Sequence, residues 1–224
     1  MKVIIGGRLS DSIQQIKNLN NKVLDTLNNG GTLPFNLVDS TQLTNGFSNY
    51  ELIESEYLLS KENSEIWKQQ RYANIKLLLK SAREIAQFLK VRNRTNLKKL
   101  YEWGIIVVGV DEHGKVKISE RLLDVEKMFK GIITKNALDG ASSILSVFDM
   151  VDFESKYNYM ITSKDNYMAE KVVRRVKSVQ KREQYKELIV MQRLIAKEMY
   201  THPDFNKRDL EVWGYVVLEF HQNS

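Results

Sequence analysis

The sequence predicts a mainly α-helical protein with small β elements (α+β), built as an internal duplication of one unit. Three observations carry this. Between Pro34 and Gly104 the only helix breaker is Gly46, and between Gly140 and Pro203 there is none, so each stretch can be helical throughout. Short β-branched runs flank these stretches. Finally, the chain aligns on itself. Shifted by 113, Lys2, Val3 and Ile5 fall on Lys115, Val116 and Ile118, and Arg8 and Leu9 fall on Arg121 and Leu122. At the same shift Phe35, Leu37, Val38 and Asp39 fall on Phe148, Met150, Val151 and Asp152. Further on the best shift is 110, a three-residue deletion. Lys76, Leu78, Leu79, Arg83, Ile85, Ala86 and Leu89 then meet Lys186, Leu188, Ile189, Arg193, Ile195, Ala196 and Met199. Asn96, Leu100, Trp103 and Gly104 meet Asn206, Leu210, Trp213 and Gly214. Ordered matches with one deletion make 1–112 repeat one and 113–224 repeat two, each a strand, helix, loop, helical hairpin and strand. A pseudo-twofold arrangement of the two is expected.

Each repeat opens with a short strand, Lys2–Ile5 or Lys115–Ile118. A helix follows. In repeat one Ser10 or Asp11 can cap it, and Ile13, Ile16, Leu19, Val23 and Leu27 recur at helical spacing. Gly30 and Gly31 stop it. In repeat two Ser119 is the candidate cap, and Leu122, Val125, Phe129 and Ile132 form the stripe. A loop leads into each long helical stretch. There Tyr72, Ile75, Leu79, Ala82, Ala86 and Leu89 step by three and four, as do Ala169, Val172, Val176 and Val179. Such a stripe is the seam of an antiparallel hairpin or bundle. The alternative is an intermolecular coiled coil. The hairpin is preferred because the seams are short and two copies must pack. Each repeat closes with L-x-x-W-G and a strand, Ile105–Val110 or Tyr215–Phe220. The segment VVGVDEHGKVKI is the best β-hairpin signal. It joins the repeats, and the four strands are expected to share one small antiparallel sheet, since a lone ribbon is marginal in water.

Composition narrows the function. Hydrophobic residues make up 42% and charged residues 28%, a balance that suits a globular core rather than a disordered chain. The absence of Cys removes thiol catalysis, disulfides and Cys-ligated metals. The longest clean apolar stretch, Ile105 to Val108, is far shorter than the roughly 20 residues of a membrane span. The N-terminal apolar run is too short for a signal peptide. A cytoplasmic protein is expected, or a virion protein if phage-encoded, with no membrane partner and no cofactor.

No motif spells out a reaction. His113, His202 and His221 lack metal-binding spacing, and neither a P-loop, a G-x-G-x-x-G nor a G-x-S-x-G elbow occurs. Asp39 and Asp152 are equivalent under the repeat and could make a general acid–base or metal site between repeats. The plainer assignment is preferred: each N-caps the following helix, with Phe35 and Phe148 as hydrophobic plugs before it. Trp103 and Trp213, each before a glycine (Gly104, Gly214), could stack on a base or ligand. Packing across the helix-to-strand junction explains them better. Trp67 has no counterpart and a polar surround, so it is the better interface candidate.

Charge is the most informative functional feature. From Lys61 to Lys99 the net charge is +8, and from Lys171 to Lys197 it is +7, so the rest of a +6 chain carries −9. Such segregation attracts nucleic-acid phosphates, or the acidic part of an identical subunit, head to tail. It also suits an ordinary solvated helix face. If nucleic acid is the partner, Lys76, Lys80 and Arg83 with Lys186 and Arg193 are the expected contacts, though no RRM, KH or zinc-finger pattern accompanies them.

The order F-[ND]-[LM]-V-D, a long charged helical pair, then L-x-x-W-G and a strand resembles a family of helical-hairpin proteins of Bacteroidota. The matching residues are Phe35 to Asp39 and Trp103-Gly104-Ile105, then Phe148 to Asp152 and Trp213-Gly214-Tyr215. The resemblance covers about half of each repeat. It implies a fold and a host range but no activity, as none is assigned to that family. Together these features lead to the expectation of a non-enzymatic structural or assembly protein acting through protein–protein contacts. A homo-oligomer or larger assembly is expected, with a component of a phage or mobile-element particle as a special case. A nucleic-acid-binding protein and an enzyme with a site near Asp39 and Asp152 are the alternatives.

Overall fold

The computed structural model describes residues 13–30, 38, 40–92, 96–203 and 207–215. Among them the chain is mainly helical with one two-stranded antiparallel sheet. Helix α1 is Ile13–Asn28 and α2 is Ser40–Arg92. A 3-10 helix, Leu97–Trp103, leads to β1, Val107–Val110, and β2, Val116–Ile118. Then come α3, Leu122–Asp139, α4, Met150–Thr201, and α5, Lys207–Val212.

The helical hairpin expected inside each repeat is not there. Each long stretch is a single helix, of 53 residues in α2 and 52 in α4. Nothing in their middles can turn the chain, because Gly46 lies in the second turn of α2. A Cβ at Gly46 would sit 3.3 Å from Leu188 Cδ2, so the glycine admits a close approach of α4 rather than a break. The antiparallel pairing forms instead between α2 and α4. The predicted β-hairpin is present, with Val107 opposite Ile118 and Val110 opposite Val116. Asp111 Oδ1 accepts from the N–H groups of His113 and Lys115 at 3.0 and 2.7 Å and shapes the turn. The outer strands of the expected four-stranded sheet, Lys2–Ile5 and 216–220, lie outside the described residues.

Two caps differ from the sequence expectation. Ser119 does not cap α3; Arg121 occupies that position, and Ser119 Oγ donates to Asp124 in the first turn at 2.7 Å. Asp152 does not cap α4. Asp149 Oδ1 accepts the Asp152 N–H at 2.9 Å, and Asp152 is inside the helix, paired with Lys156.

The chain forms two compact units, and neither is a sequence half. One comprises Met1–Ser60 with Val173–Ser224, the other Lys61–Val172. In the first, α1 and α5 join the start of α2 and the end of α4. Asn49 Nδ2 donates to Gln184 at 3.0 Å, Lys181 pairs with Glu54 at 3.2 Å and Lys177 with Glu56 at 2.5 Å, so the helices run antiparallel. Leu19, Val23, Leu43, Ile195, Met199 and Trp213 fill one buried cluster; Ile16, Tyr50 and Leu188 fill another.

In the second unit the end of α2 and the start of α4 enclose the 3-10 helix, the sheet and α3. Its core holds Leu78, Ile85, Leu89, Leu100, Trp103, Val125, Phe129, Ile132 and Phe153. Each such side chain, fully buried, is worth about 1.5–3 kcal/mol of transfer free energy. Phe129 and Phe153 meet edge to face at 5.8 Å, as do Phe88 and Phe148 at 5.3 Å. Here the seam Ile75, Leu79, Ala82, Ala86 and Leu89 is buried as the spacing predicts, except for Tyr72, which is exposed.

Candidate functional site

The candidate contacts Lys76, Lys80, Arg83, Lys186 and Arg193 are all exposed. Lys76, Lys80 and Arg83 step by four and three, so α2 carries them as one exposed row. The Arg83 guanidinium is bound to Glu120. Lys186 and Arg193 belong to the other compact unit. Trp67 is half-buried on α2. Phe35 and Asp39 lie outside the described residues. Asp152, bound to Lys156 on the same helix, is occupied as a first-turn carboxylate.

Trp103 and Trp213 are core residues, 4% and 5% exposed, with no face open for stacking. Gly104 follows the first at φ 71°, and a Cβ there would lie 2.9 Å from Gly131 Cα of α3. Gly214 follows the second at φ 94°, against Lys22 and Leu19 of α1. Lys135 of α3 sits over the Trp103 ring at 5.7 Å. Each Trp-Gly junction therefore packs on the helix that opens the other sequence half.

Two ion clusters escaped the sequence reading. In the first unit Glu54 accepts from Lys17 of α1 at 2.6 Å, from Lys181 of α4 at 3.2 Å and from the Tyr50 hydroxyl at 3.3 Å. Burial pushes its carboxyl up. Hydrogen bonds and charge from the two lysines outweigh that, leaving it below the usual carboxylate range. Burial, reinforced by the Glu54 charge, pushes the Tyr50 hydroxyl up. In the second unit Glu126 of α3 accepts from Arg71 of α2 and Lys164 of α4, both at 2.6 Å. Its carboxyl is lowered in the same way, against burial. Each carboxylate bolts three helices together. Sequence spacing cannot find such clusters, because bonded partners in them lie up to 127 positions apart.

A buried polar chain joins three elements of the first unit. The Tyr215 hydroxyl donates to Gln192 Oε1 at 2.6 Å, and Gln192 Nε2 donates to Asn20 Oδ1. All three residues are at most 2% exposed, and Asn20 Nδ2 has no partner. Beside the sheet, a groove of about 850 Å³ is lined by Arg83, Gln87, Val108, Lys117, Ser119 and Arg121, among others. No group of three or more His, Cys, Asp or Glu among the described residues is placed to hold a metal ion. Nor is any helix there long and apolar enough to cross a membrane.

The stripe Ala169, Val172, Val176 and Val179 is not an intramolecular seam. Its valines are 63%, 49% and 45% exposed, and Ala169 is exposed too. The side of α4 turned to α2 carries Lys177, Lys181 and Gln184 instead. Across α2, Leu52, Leu58 and Leu59 are 57%, 54% and 58% exposed. The 3–4 spacing was read correctly as apolar periodicity; which apolar face would find a partner was not in the sequence.

Comparison with protein-family models, with curated proteins and with solved structures finds no match to this chain.

Proposed function

We propose that the chain is a non-enzymatic structural or assembly protein, acting through protein–protein contacts and built from two copies of one helical module. The observation that carries this is the amount of aliphatic surface left open on the long helices. In the first unit alone Leu52, Leu58, Leu59, Val173, Val176 and Val179 are each 43–58% exposed. Contiguous apolar surface rimmed by polar residues is a mark of a protein contact. A particle of phage or mobile-element origin is a setting this reading fits, as is the cytoplasm.

The duplication is supported by burial. Several positions offset by 113 before residue 40, and by 110 after it, bury alike, although Val38 is buried while its counterpart Val151 is 81% exposed. Ile16 and Phe129, Leu43 and Phe153, Tyr50 and Met160, Leu78 and Leu188, Ile85 and Ile195, and Trp103 and Trp213 are all at most 5% exposed. Lys22 and Lys135, a pair under the same offset, each lie against the Trp-Gly junction of their own unit. Such agreement follows naturally if one module was copied and its two copies then exchanged their long helices' ends.

Light scattering on a sizing column, at low and moderate salt, tests the assembly reading. A discrete oligomer or growing particle, or a stoichiometric complex with a separate protein, supports it. The second reading, nucleic-acid binding, is favoured by the exposed row Lys76, Lys80 and Arg83. It requires affinity that falls steeply with salt and is lost when those residues, with Lys186 and Arg193, are reversed to Glu. A monomer with that nucleic-acid behaviour would replace the assembly reading.

A further inference from the structure

We infer that, in the first compact unit, the outer face of α4 docks on the outer face of α2 of a second copy of this chain, head to tail. The inference rests on the assembly reading and names its partner and surfaces. On α2, Leu52 and Leu59 are seven residues apart, so they stand one above the other on a single face. Tyr50 and Ser60, at 1% and 3% exposure, mark the side that packs inside the unit. On α4, Val176 and Val179 lie away from Lys177 and Lys181, which reach the Glu56 and Glu54 carboxylates of α2. Each helix therefore has an apolar outer row facing away from its neighbour.

Charge decides what can cover these rows. Between Ser40 and Ser60, α2 carries Glu51, Glu54 and Glu56 and no cation. Between Val173 and Lys186, α4 carries Arg174, Arg175, Lys177, Lys181, Arg182 and Lys186 against one acid, Glu183. Among the described residues Arg174, Arg175, Arg182 and Glu51 make no ion pair. With Lys177, Lys181, Glu54 and Glu56 already paired inside the unit, the charge left for a neighbour is net positive on α4 and is Glu51 on α2, so two α4 faces would repel and two α2 faces would gain no ion pair. α4 on α2 of the next copy joins apolar row to apolar row and brings the net positive face against the free carboxylate of Glu51. Inside the unit the same two helices already pair in that sense, through Lys177–Glu56 and Lys181–Glu54. The contact is heterologous, since each copy offers two different faces, so it builds rings or open chains rather than closed pairs. It covers few turns, less than the roughly 800 Å² per partner of a stable dimer, so it is expected to depend on concentration and salt.

The test uses two variants of the full chain. Val176→Glu with Val179→Glu puts acid on the α4 face; Leu52→Lys with Leu59→Lys puts cations on the α2 face. All four positions are exposed, and unchanged circular dichroism and thermal melting establish that both variants are folded. Light scattering at low salt is expected to give an oligomer for the wild type and a monomer for each variant alone. Mixed, the two variants are expected to associate again, because each retains the face the other has lost and the exchanged acid and cation rows are themselves complementary. A wild-type oligomer whose mass neither variant changes would overturn this inference and leave the assembly reading standing. A folded wild type that stays monomeric at low salt would also overturn it; the assembly reading would then fall only to the nucleic-acid result described above.

Discussion

Gln192 has no exposed surface, and both ends of its amide are used, one by Tyr215 and one by Asn20. A buried polar side chain of this kind is stabilising only while every partner is present. Replacing it alone, Gln192→Ala, strands the Tyr215 hydroxyl and Asn20 in an apolar core. The expected cost is about 2–3 kcal/mol in chemical denaturation. Under the proposed duplication the three residues correspond to Ile133, Ala82 and Ile105, an apolar set in the second unit. The triple change Asn20→Ile, Gln192→Ala and Tyr215→Ile is therefore expected to cost much less than the sum of the three single changes. Simple additivity of the measured unfolding free energies would argue against that correspondence. Tyr215 also shows how a junction is tuned: burial pushes its hydroxyl up, so it stays a neutral donor.

Among the elements, the 3-10 helix and α3 come into backbone contact. Gly104 and Gly131 meet backbone to backbone, and a Cβ on Gly131 would lie 2.8 Å from Gly104 Cα and 3.0 Å from Trp103 O. An alanine in the middle of an open helix stabilises by about 1 kcal/mol relative to glycine. Gly131→Ala is expected to reverse that sign and destabilise by about 1–3 kcal/mol, because the 3-10 helix must move. Gly104→Ala adds left-handed strain of about 1–2 kcal/mol to a similar clash. Gly214→Ala meets mainly the flexible Lys22 side chain, so strain alone is expected there. Thermal melts of the three variants order these effects, and a stabilised Gly131→Ala would show that the two elements do not pack so closely.

For the whole molecule, one carboxylate in each compact unit is expected to contribute to acid sensitivity. Glu54 and Glu126 both titrate below their ordinary value of 4.5 in the folded protein. The unfolded chain takes up protons first as pH falls. Their contribution is therefore complete above about 4.5 and is lost as pH drops through the lowered folded-state values. Glu54→Gln with Glu126→Gln is expected to cost about 1–2 kcal/mol per site at neutral pH and to flatten the acid limb of the melting temperature. A double variant with the wild-type acid slope would place the acid sensitivity elsewhere. The two clusters use different helices for the anion, α2 in one unit and α3 in the other, with cations on the remaining two.

How much of this was legible follows from what kind of information each feature needs. Helix content, the two long stretches and the β-hairpin were set by local chemistry: the lack of Gly and Pro across α2 and α4, β-branched runs beside Asp111 to Gly114, and glycines after Trp103 and Trp213. The seam from Ile75 to Leu89 was legible too, since its period matches one buried face. The identical period from Val172 to Val179 misled, because periodicity marks an apolar face without saying what packs on it. Asp152 was misassigned as a cap by one turn, as Asp149 supplies the same chemistry three residues earlier. The sequence by itself determined which segments are helix, strand and junction, because those choices rest on neighbours a few residues apart. Only the tertiary structure decided that α2 pairs with α4, that each compact unit draws on both sequence halves, and that Glu54 and Glu126 gather their cations. Those outcomes depend on side chains far apart in the chain competing for the same buried space.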